Sequence, residues 1–308
     1  MAHEVKIACI VCTKDRPEDL KNLFVSFEKQ TRRPDQIIIV DGSDHPIKHV
    51  LDAFSGIAFD YVTVRPPGLA KQRNVGIKNL RPEMQWIGFM DDDLVLEPDC
   101  IEKLEQFILQ KPEVKGIGLV IDNQPVSNPS FAFHLYHSIF MTDKRPGGII
   151  TRAGMASAIR PVKEDLVVDW LYGGATFWDT RVFKEFKFDE WFSGVGYLED
   201  VDFSYGVSRK YPLMLASSAR CNHYFHPVKK HRLISHGSWH FVAWWYFANK
   251  YKFNKLLVLW AMFGVWISNI SHGILKPSTF RLHTSWGNMK AFKVIFSGKV
   301  AGFKGFQK

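Results

Sequence analysis

The sequence predicts an α/β fold, a mostly parallel sheet flanked by helices, followed by a helical C-terminal extension. Three observations predict it. Short apolar runs alternate with amphipathic stretches through the first hundred residues. Three of those runs end in polar, Asp-containing loops. Acidic residues stop at Asp202. With 308 residues, 46% hydrophobic and 23% charged, the chain has a globular composition and enough length to bury a core without disulfides. Whole-chain disorder is excluded.

Val5–Val11 is an apolar run of the kind found in buried parallel strands, ending at the turn Thr13-Lys14-Asp15-Arg16-Pro17. A helix is predicted over Pro17–Gln30, with Leu20, Leu23, Phe24 and Phe27 at i, i+3, i+4, i+7 on one face. Gln36–Val40 is the second strand, closed by Asp41-Gly42-Ser43-Asp44, and Tyr61–Arg65 the third. Leu69–Leu80 is a second amphipathic helix after Pro66-Pro67-Gly68, and Trp86–Met90 a fourth strand, closed by Asp91-Asp92-Asp93. In open parallel sheets ligands bind beyond the carboxyl ends of the strands, so three polar strand ends on one edge point to a nucleotide site. Cys9 and Cys12 form C-x-x-C inside the first strand with no partner pair to complete a zinc site, and are expected to be plain core residues. The N-terminus lacks a basic region followed by a long apolar stretch and is expected to be the first strand of a cytosolic domain.

Asp91-Asp92-Asp93 carries the most chemistry. Side chains alternate in extended backbone, so Asp91 and Asp93 share one side and Asp92 takes the other. Two carboxylates on one side repel unless a cation lies between them, and a hard ion such as Mg²⁺ or Mn²⁺ would bridge to a diphosphate. The ordinary alternative is a solvated acidic turn. The Gly68–Gly76 segment opens a helix with Lys71 and Arg73, suited to a phosphate or nucleobase, but has neither a G-x-G-x-x-G nor a Walker pattern. Further on, Gly173 and Gly174 permit close backbone approach to a ligand. A glycine-rich turn (193–196) then precedes Glu199-Asp200-Val201-Asp202, acids at a helix start that either cap it or supply a carboxylate base.

Taken in order, these segments resemble the family 2 inverting glycosyltransferases of GT-A fold, over roughly residues 5–230. The resemblance implies a Rossmann-like sheet and a sugar transfer from a nucleotide-diphosphate donor. It implies that Asp41 holds the nucleobase or ribose with Thr13, Asp15, Arg16 and Arg73, with Lys71 and Asn74 in the same donor-binding segment. Asp91 and Asp93 resemble a D-x-D pair, with Asp92 between them, one near the ribose and one on a Mg²⁺ or Mn²⁺ ion. Gly173 and Gly174 resemble the backbone against which the donor sugar packs. Asp200 resembles the catalytic base, with Glu199 as second choice, and either His223 or His226 resembles a further metal or diphosphate ligand. A catalytic domain is expected over 1–228, with its nucleotide part about 1–98 and its acceptor part about 99–228. A membrane-associating region is expected over 229–308.

That last region differs sharply in charge. Residues 203–308 hold 16 Lys+Arg and no acid, whereas residues 1–202 hold 24 Lys+Arg against 31 acids. His240–Tyr251 and Leu256–Leu275 are apolar and aromatic, and the second is long enough to span a bilayer. Ser268, Asn269, Ser271 and His272 dilute it, so helices lying in the plane of an anionic membrane surface are expected, with a single span or an internal packing helix as alternatives. The aromatics sit in apolar runs instead of interleaving with cations, so nucleic acid is not an expected partner. A membrane-facing transferase implies a lipid-linked saccharide acceptor, and the resemblance points to cell-envelope polysaccharide assembly at the cytoplasmic face of the inner membrane. Residues Phe131–Ile159, including the turn at 144–148, are expected to shape the acceptor site. Competing readings are a polyprenyl-phosphate sugar synthase, which shares the front half, and a non-catalytic membrane-surface protein on a degenerate transferase fold. A nucleotidyltransferase would need a glycine-rich activating loop, and Thr13–Pro17 has none.

Overall fold

The computed structural model describes residues 5–125, 130–142, 147–192, 197–226, 232–275 and 278–303. Strand β1 (Ile7–Thr13) is buried at every position and lies between β2 (Gln36–Asp41) and β4 (Trp86–Asp91), parallel to both. β3 (Asp60–Thr63) extends this parallel half beyond β2. Helix α1 (Pro17–Glu28) starts on a proline and buries Leu20, Leu23, Phe24 and Phe27, the face given by its periodicity. Helix α2 (Leu69–Lys78) returns the chain from β3 to β4.

Beyond β4 the sheet is mixed. A short β5 (Leu94–Leu96), helix α3 (Cys100–Gln110) and β6 (Gly116–Ile121) follow, then β7 (Leu166–Val168), β8 (Ala175–Asp179), helix α5 (Glu199–Ser208) and β9 (Leu213–His223). The nine strands run in the order β3-β2-β1-β4-β8-β6-β9-β5, with β7 paired to β9. β8 is antiparallel to both β4 and β6, while β6 and β9 point the same way as β1 to β4. Cys9 and Cys12 are buried in β1 as free thiols, pushed up to about 12 by burial, and pack as core residues.

Two compact units divide the chain. The first holds residues 1–126 and 159–225, the second residues 127–158 and 226–308. The segment expected to lie in the acceptor part of the catalytic domain thus makes its contacts with the C-terminal helices. In it, α4 (Phe131–Ile139) receives its N-cap from Ser130. Its Tyr136 hydroxyl donates to the carbonyl of Gly264 at 2.6 Å. Residues 144–146 of the expected turn, and the glycine-rich turn at 193–196, lie outside the described residues. The C-terminal helices are α6 (Leu233–Lys250), α7 (Lys255–Leu275) and α8 (Thr279–Phe296). The first two are longer forms of the expected apolar stretches. The third was not anticipated, because its inward positions are Thr284, Ser285, Gly287 and Asn288, with little apolar periodicity.

Candidate active site

The polar strand ends gather at one edge of the first unit. β4 ends at Asp91, and the chain then turns sharply through Asp92 and Asp93 into β5. Asp91, Asp93 and His223 each offer a ligand atom, and these atoms lie within 4.8 Å of one another. His223 reaches this place because it closes β9 directly opposite Leu94 of β5, and its Nε2 lies 2.8 Å from Asp93 Oδ1. His226 is exposed, three residues past the end of the strand. Asp92 lies in the turn itself and faces the loop after β1. Its carboxylate accepts from Thr13 Oγ1 at 2.7 Å and from Arg16 Nη1 at 3.0 Å, and the same Arg16 nitrogen reaches Asp93 at 3.1 Å.

Burial governs the protonation of this cluster. It pushes Asp92 up to about 7, with the Thr13 hydroxyl opposing, and it raises Asp91 against the pull of Arg73. Asp93 is desolvated too, but the His223 hydrogen bond and charge bring it below the ordinary carboxylate range. Desolvation opposes the charged form of His223, and its contact with Asp93 outweighs this and raises it.

A second group meets the first from the opposite direction. Because β8 runs antiparallel to β4, with Ala175 beside Met90, its preceding residues Gly173 and Gly174 arrive where β4 ends. The Gly174 carbonyl accepts from the Asp91 N–H at 2.8 Å. A Cβ at Gly174 would lie 1.9 Å from the Asp91 carboxyl carbon, and one at Gly173 would lie 2.4 Å from the Arg73 guanidinium. Only glycines fit this approach. Helix α5 begins at Glu199 after Leu198, whose left-handed φ of 66° turns the chain into the site. Asp200 Oδ2 accepts from the Gly173 N–H at 3.1 Å, and its Oδ1 from the Val201 N–H at 2.8 Å.

Arg73 holds the two groups together. It is almost fully buried, with Nη1 3.1 Å from Glu199 Oε1 and Nη2 3.9 Å from Asp91 Oδ1. Its guanidinium lies over the ring of Phe188 at 5.2 Å. Glu199 Oε2 is buried with no hydrogen-bond partner among the described residues. Burial pushes both Glu199 and Asp200 upward, and Arg73 opposes the rise.

The remaining predicted residues play parts that the sequence did not specify. Asp41 is fully buried, and its carboxylate accepts from the N–H groups of Ser43 and Ile47 and from the Tyr61 hydroxyl. These bonds hold its carboxyl low despite desolvation, and they organise the loop after β2. Asp15, at a φ of 55°, donates its N–H to Ser43 Oγ at 2.7 Å, which joins the loops after β1 and β2. Lys71 turns back onto the carbonyls of Arg65 and Pro66. Asn74 bonds the backbone of Phe188 in both directions and so fixes the ring beneath Arg73. Sequence reasoning drew nothing from Gln72, yet its buried amide donates to the carbonyls of Thr13 and Val40 and ties those loops together. Its signal was its place between Lys71 and Arg73, one turn into α2.

Comparison with known proteins bears on the family and the fold. The family described as Glycosyl transferase family 2 matches residues 8–160. An uncharacterized glycosyltransferase of Haemophilus influenzae is 35% identical over 105 residues, 32% of this chain and 38% of that protein. A second uncharacterized glycosyltransferase of the same organism is 30% identical over 114 residues, 36% and 37% of the two chains. The matched stretch therefore spans under two fifths of either relative. Among solved structures, S. aureus TarS 1-349 shares the fold with a TM-score of 0.51 at 12% identity, covering 96% of this chain and 92% of that one.

Proposed function

We propose that this chain, whose residues 8–160 match Glycosyl transferase family 2 and whose fold is shared by TarS 1-349, moves a sugar from a nucleotide-diphosphate donor to a lipid-linked saccharide acceptor, with inversion at the anomeric carbon. The observation that carries this reading is the convergence on Arg73 and Gly173–Gly174 of carboxylates more than a hundred residues apart. Asp91 and Asp93 come from the end of β4, and Glu199 and Asp200 from the start of α5.

Asp200 is the general base. Each of its oxygens already accepts one backbone N–H, which sets the plane of the carboxylate and leaves lone pairs for an acceptor hydroxyl. Its upward shift makes it a stronger proton acceptor than an ordinary aspartate near neutral pH. The hydroxyl proton passes to Asp200 as the oxygen attacks C1 from the face opposite the departing diphosphate, and one displacement inverts the centre. Arg73 pairs with Oε1 of Glu199 and opposes the rise of both carboxyls. The backbone of Gly173–Gly174 forms the surface against which the donor sugar lies.

Asp91, Asp93 and His223 suit a hard divalent ion, two carboxylates and one imidazole within mutual reach, and they would hold Mg²⁺ or Mn²⁺. Such an ion would supply positive charge to the leaving diphosphate. The loops after β1 and β2, with Thr13, Asp15, Arg16 and Asp41, would enclose the nucleoside. The acid-free C-terminal region supports a lipid-linked acceptor used at the cytoplasmic face of a membrane, as in cell-envelope polysaccharide assembly.

A thermal-shift panel of nucleotide sugars, with and without Mn²⁺, tests the donor class. At least one nucleotide sugar should raise the melting temperature only with the metal. A transfer assay to polyprenyl-diphosphate-linked saccharides then tests the acceptor. No metal-dependent shift with any nucleotide sugar would overturn the reading.

A further inference from the structure

The second unit carries a feature that sugar transfer does not use. Six aromatic rings form a continuous track across three helices. Phe140, just after α4, stacks on Trp260 of α7 at 4.8 Å between centroids. The track continues through Phe263 at 6.3 Å and Trp266 at 6.0 Å, then crosses to Phe292 of α8 at 6.5 Å and ends at Phe296 at 6.0 Å. Much of it is open to solvent: Trp260 is 43% exposed, Phe263 41% and Phe296 71%. At its start the Trp260 indole N–H donates to the carbonyl of Ile139, whose side chain is also exposed, so the apolar surface continues onto α4. Lys255 and Lys293 are exposed on the same helices. By sequence, residues 127–158 and 226–308 hold 16 Lys+Arg against a single acid, Asp143.

α7 alone among the described helices is long and apolar enough to cross a bilayer. Its Asn269 is nevertheless buried, donating to Asn288 Oδ1 of α8 at 3.1 Å and accepting from Arg281 at 2.9 Å. Asn288 in turn donates to the Gly237 carbonyl of α6 at 2.8 Å. This amide clasp binds α7 to a helix that also carries Arg281, Lys290 and Lys293. Were α7 to span, Arg281 and its neighbours would enter hydrocarbon, at high free-energy cost.

We infer that this unit is a monotopic docking body that lies in the plane of an anionic phospholipid leaflet, with the Phe140–Phe296 aromatic track at the acyl boundary and α7 kept from crossing by the Asn269–Asn288–Arg281 clasp. Exposed aromatic surface gives the interfacial partition, and the excess cations select anionic headgroups. The inference deepens the lipid-linked acceptor reading, yet its test needs no substrate.

The test is flotation of the full chain with phosphatidylcholine vesicles, with and without phosphatidylglycerol. The protein should float with the anionic vesicles only, and less so at high salt. Phe263→Glu and Phe296→Glu should each weaken partition at least about tenfold. Lys255→Gln and Lys293→Gln should each weaken it about fivefold, with the aromatic surface and fold intact by circular dichroism. Alkaline carbonate should strip the protein from membranes. Resistance to carbonate, equal binding to neutral vesicles, or unchanged partition of the variants would each overturn the inference. So would a dimer in size-exclusion chromatography that Phe296→Glu converts to monomer, since a second copy would then cover the track. Nucleotide-sugar binding by calorimetry on the same variants separates this result from failure of the transferase reading.

Discussion

Arg73 Nη1 stands 3.1 Å from Glu199 Oε1, two residues 126 positions apart, in a place closed to solvent. The same guanidinium faces Asp91 at 3.9 Å, so one buried cation serves carboxylates from both halves of the site. Arg73→Met would leave Glu199 and Asp91 buried without it. A loss of about 3 kcal/mol is expected in urea unfolding, as for other buried pairs broken on one side. Adding Glu199→Gln should recover part of that loss, which a double-mutant cycle would read.

Asp200→Asn keeps the shape and one of the two backbone bonds, from Gly173 or Val201, sets an NH2 against the other N–H, and removes the proton acceptor. Turnover should fall by about 10²-fold or more while donor binding by calorimetry stays unchanged. Near-normal turnover would remove Asp200 from the base role. In the unmodified protein, activity depends on the ionised carboxylate and is lost as pH falls through its folded pKa. Because burial raises that pKa, the acid limb of kcat should lie above the range of an ordinary aspartate.

Gly174→Ala puts a methyl group where the Asp91 carboxylate now lies. Displacing that carboxylate should abolish metal-dependent nucleotide binding. Gly56→Ala is the control, since nothing lies within 4 Å of its added Cβ, and it should leave binding and stability almost unchanged. Equal behaviour of the two variants would show that the close approach at Gly174 does not matter.

A metal at Asp91, Asp93 and His223 must compete with the proton that His223 holds more tightly than a free histidine, chiefly through Asp93 against the desolvation that opposes it. Mn²⁺ affinity should therefore increase as pH rises through the elevated His223 pKa, and binding below that pH should release a proton detectable by calorimetry in buffers of different ionisation enthalpy. Asp93→Ala should lose the metal response altogether, and His223→Gln should weaken it and flatten its pH dependence.

The parallel half of the sheet was legible because β1, β2 and β4 are continuous apolar runs and α1 shows a 3.6-residue period, whereas the edge strand β3 is half-exposed and ends at Thr63 instead of Arg65. Asp91 and Asp93 come together as expected, but Asp92 and Asp93 lie in a turn instead of extended backbone and both reach Arg16, so alternation is not what arranges them. The rest of the site was hidden for physical reasons. The choice between His223 and His226 depends on where β9 stops, and its pairing with β5 shows that, not the spacing. The partners of Asn74 and Gln72, on Phe188, Thr13 and Val40, are brought near by tertiary packing, so their place in the segment was legible and their bonds were not. Helix α8 packs through Gly287, Ser285 and Asn288, whose small polar faces look like a surface stretch. Residues 127–158 interrupt the first unit in sequence, and no composition change marks their departure.

The reversed direction of β8 makes tolerance to mutation lopsided along a short stretch of chain. Its neighbour β4 delivers chemistry at its end, whereas β8 delivers it before it begins. A saturation scan of residues 169–187 should therefore find selection concentrated on the approach, at Gly173 and Gly174. The exit through Thr180–Lys184, at the far edge of the sheet, should accept most replacements that keep Val182 and Phe183 apolar.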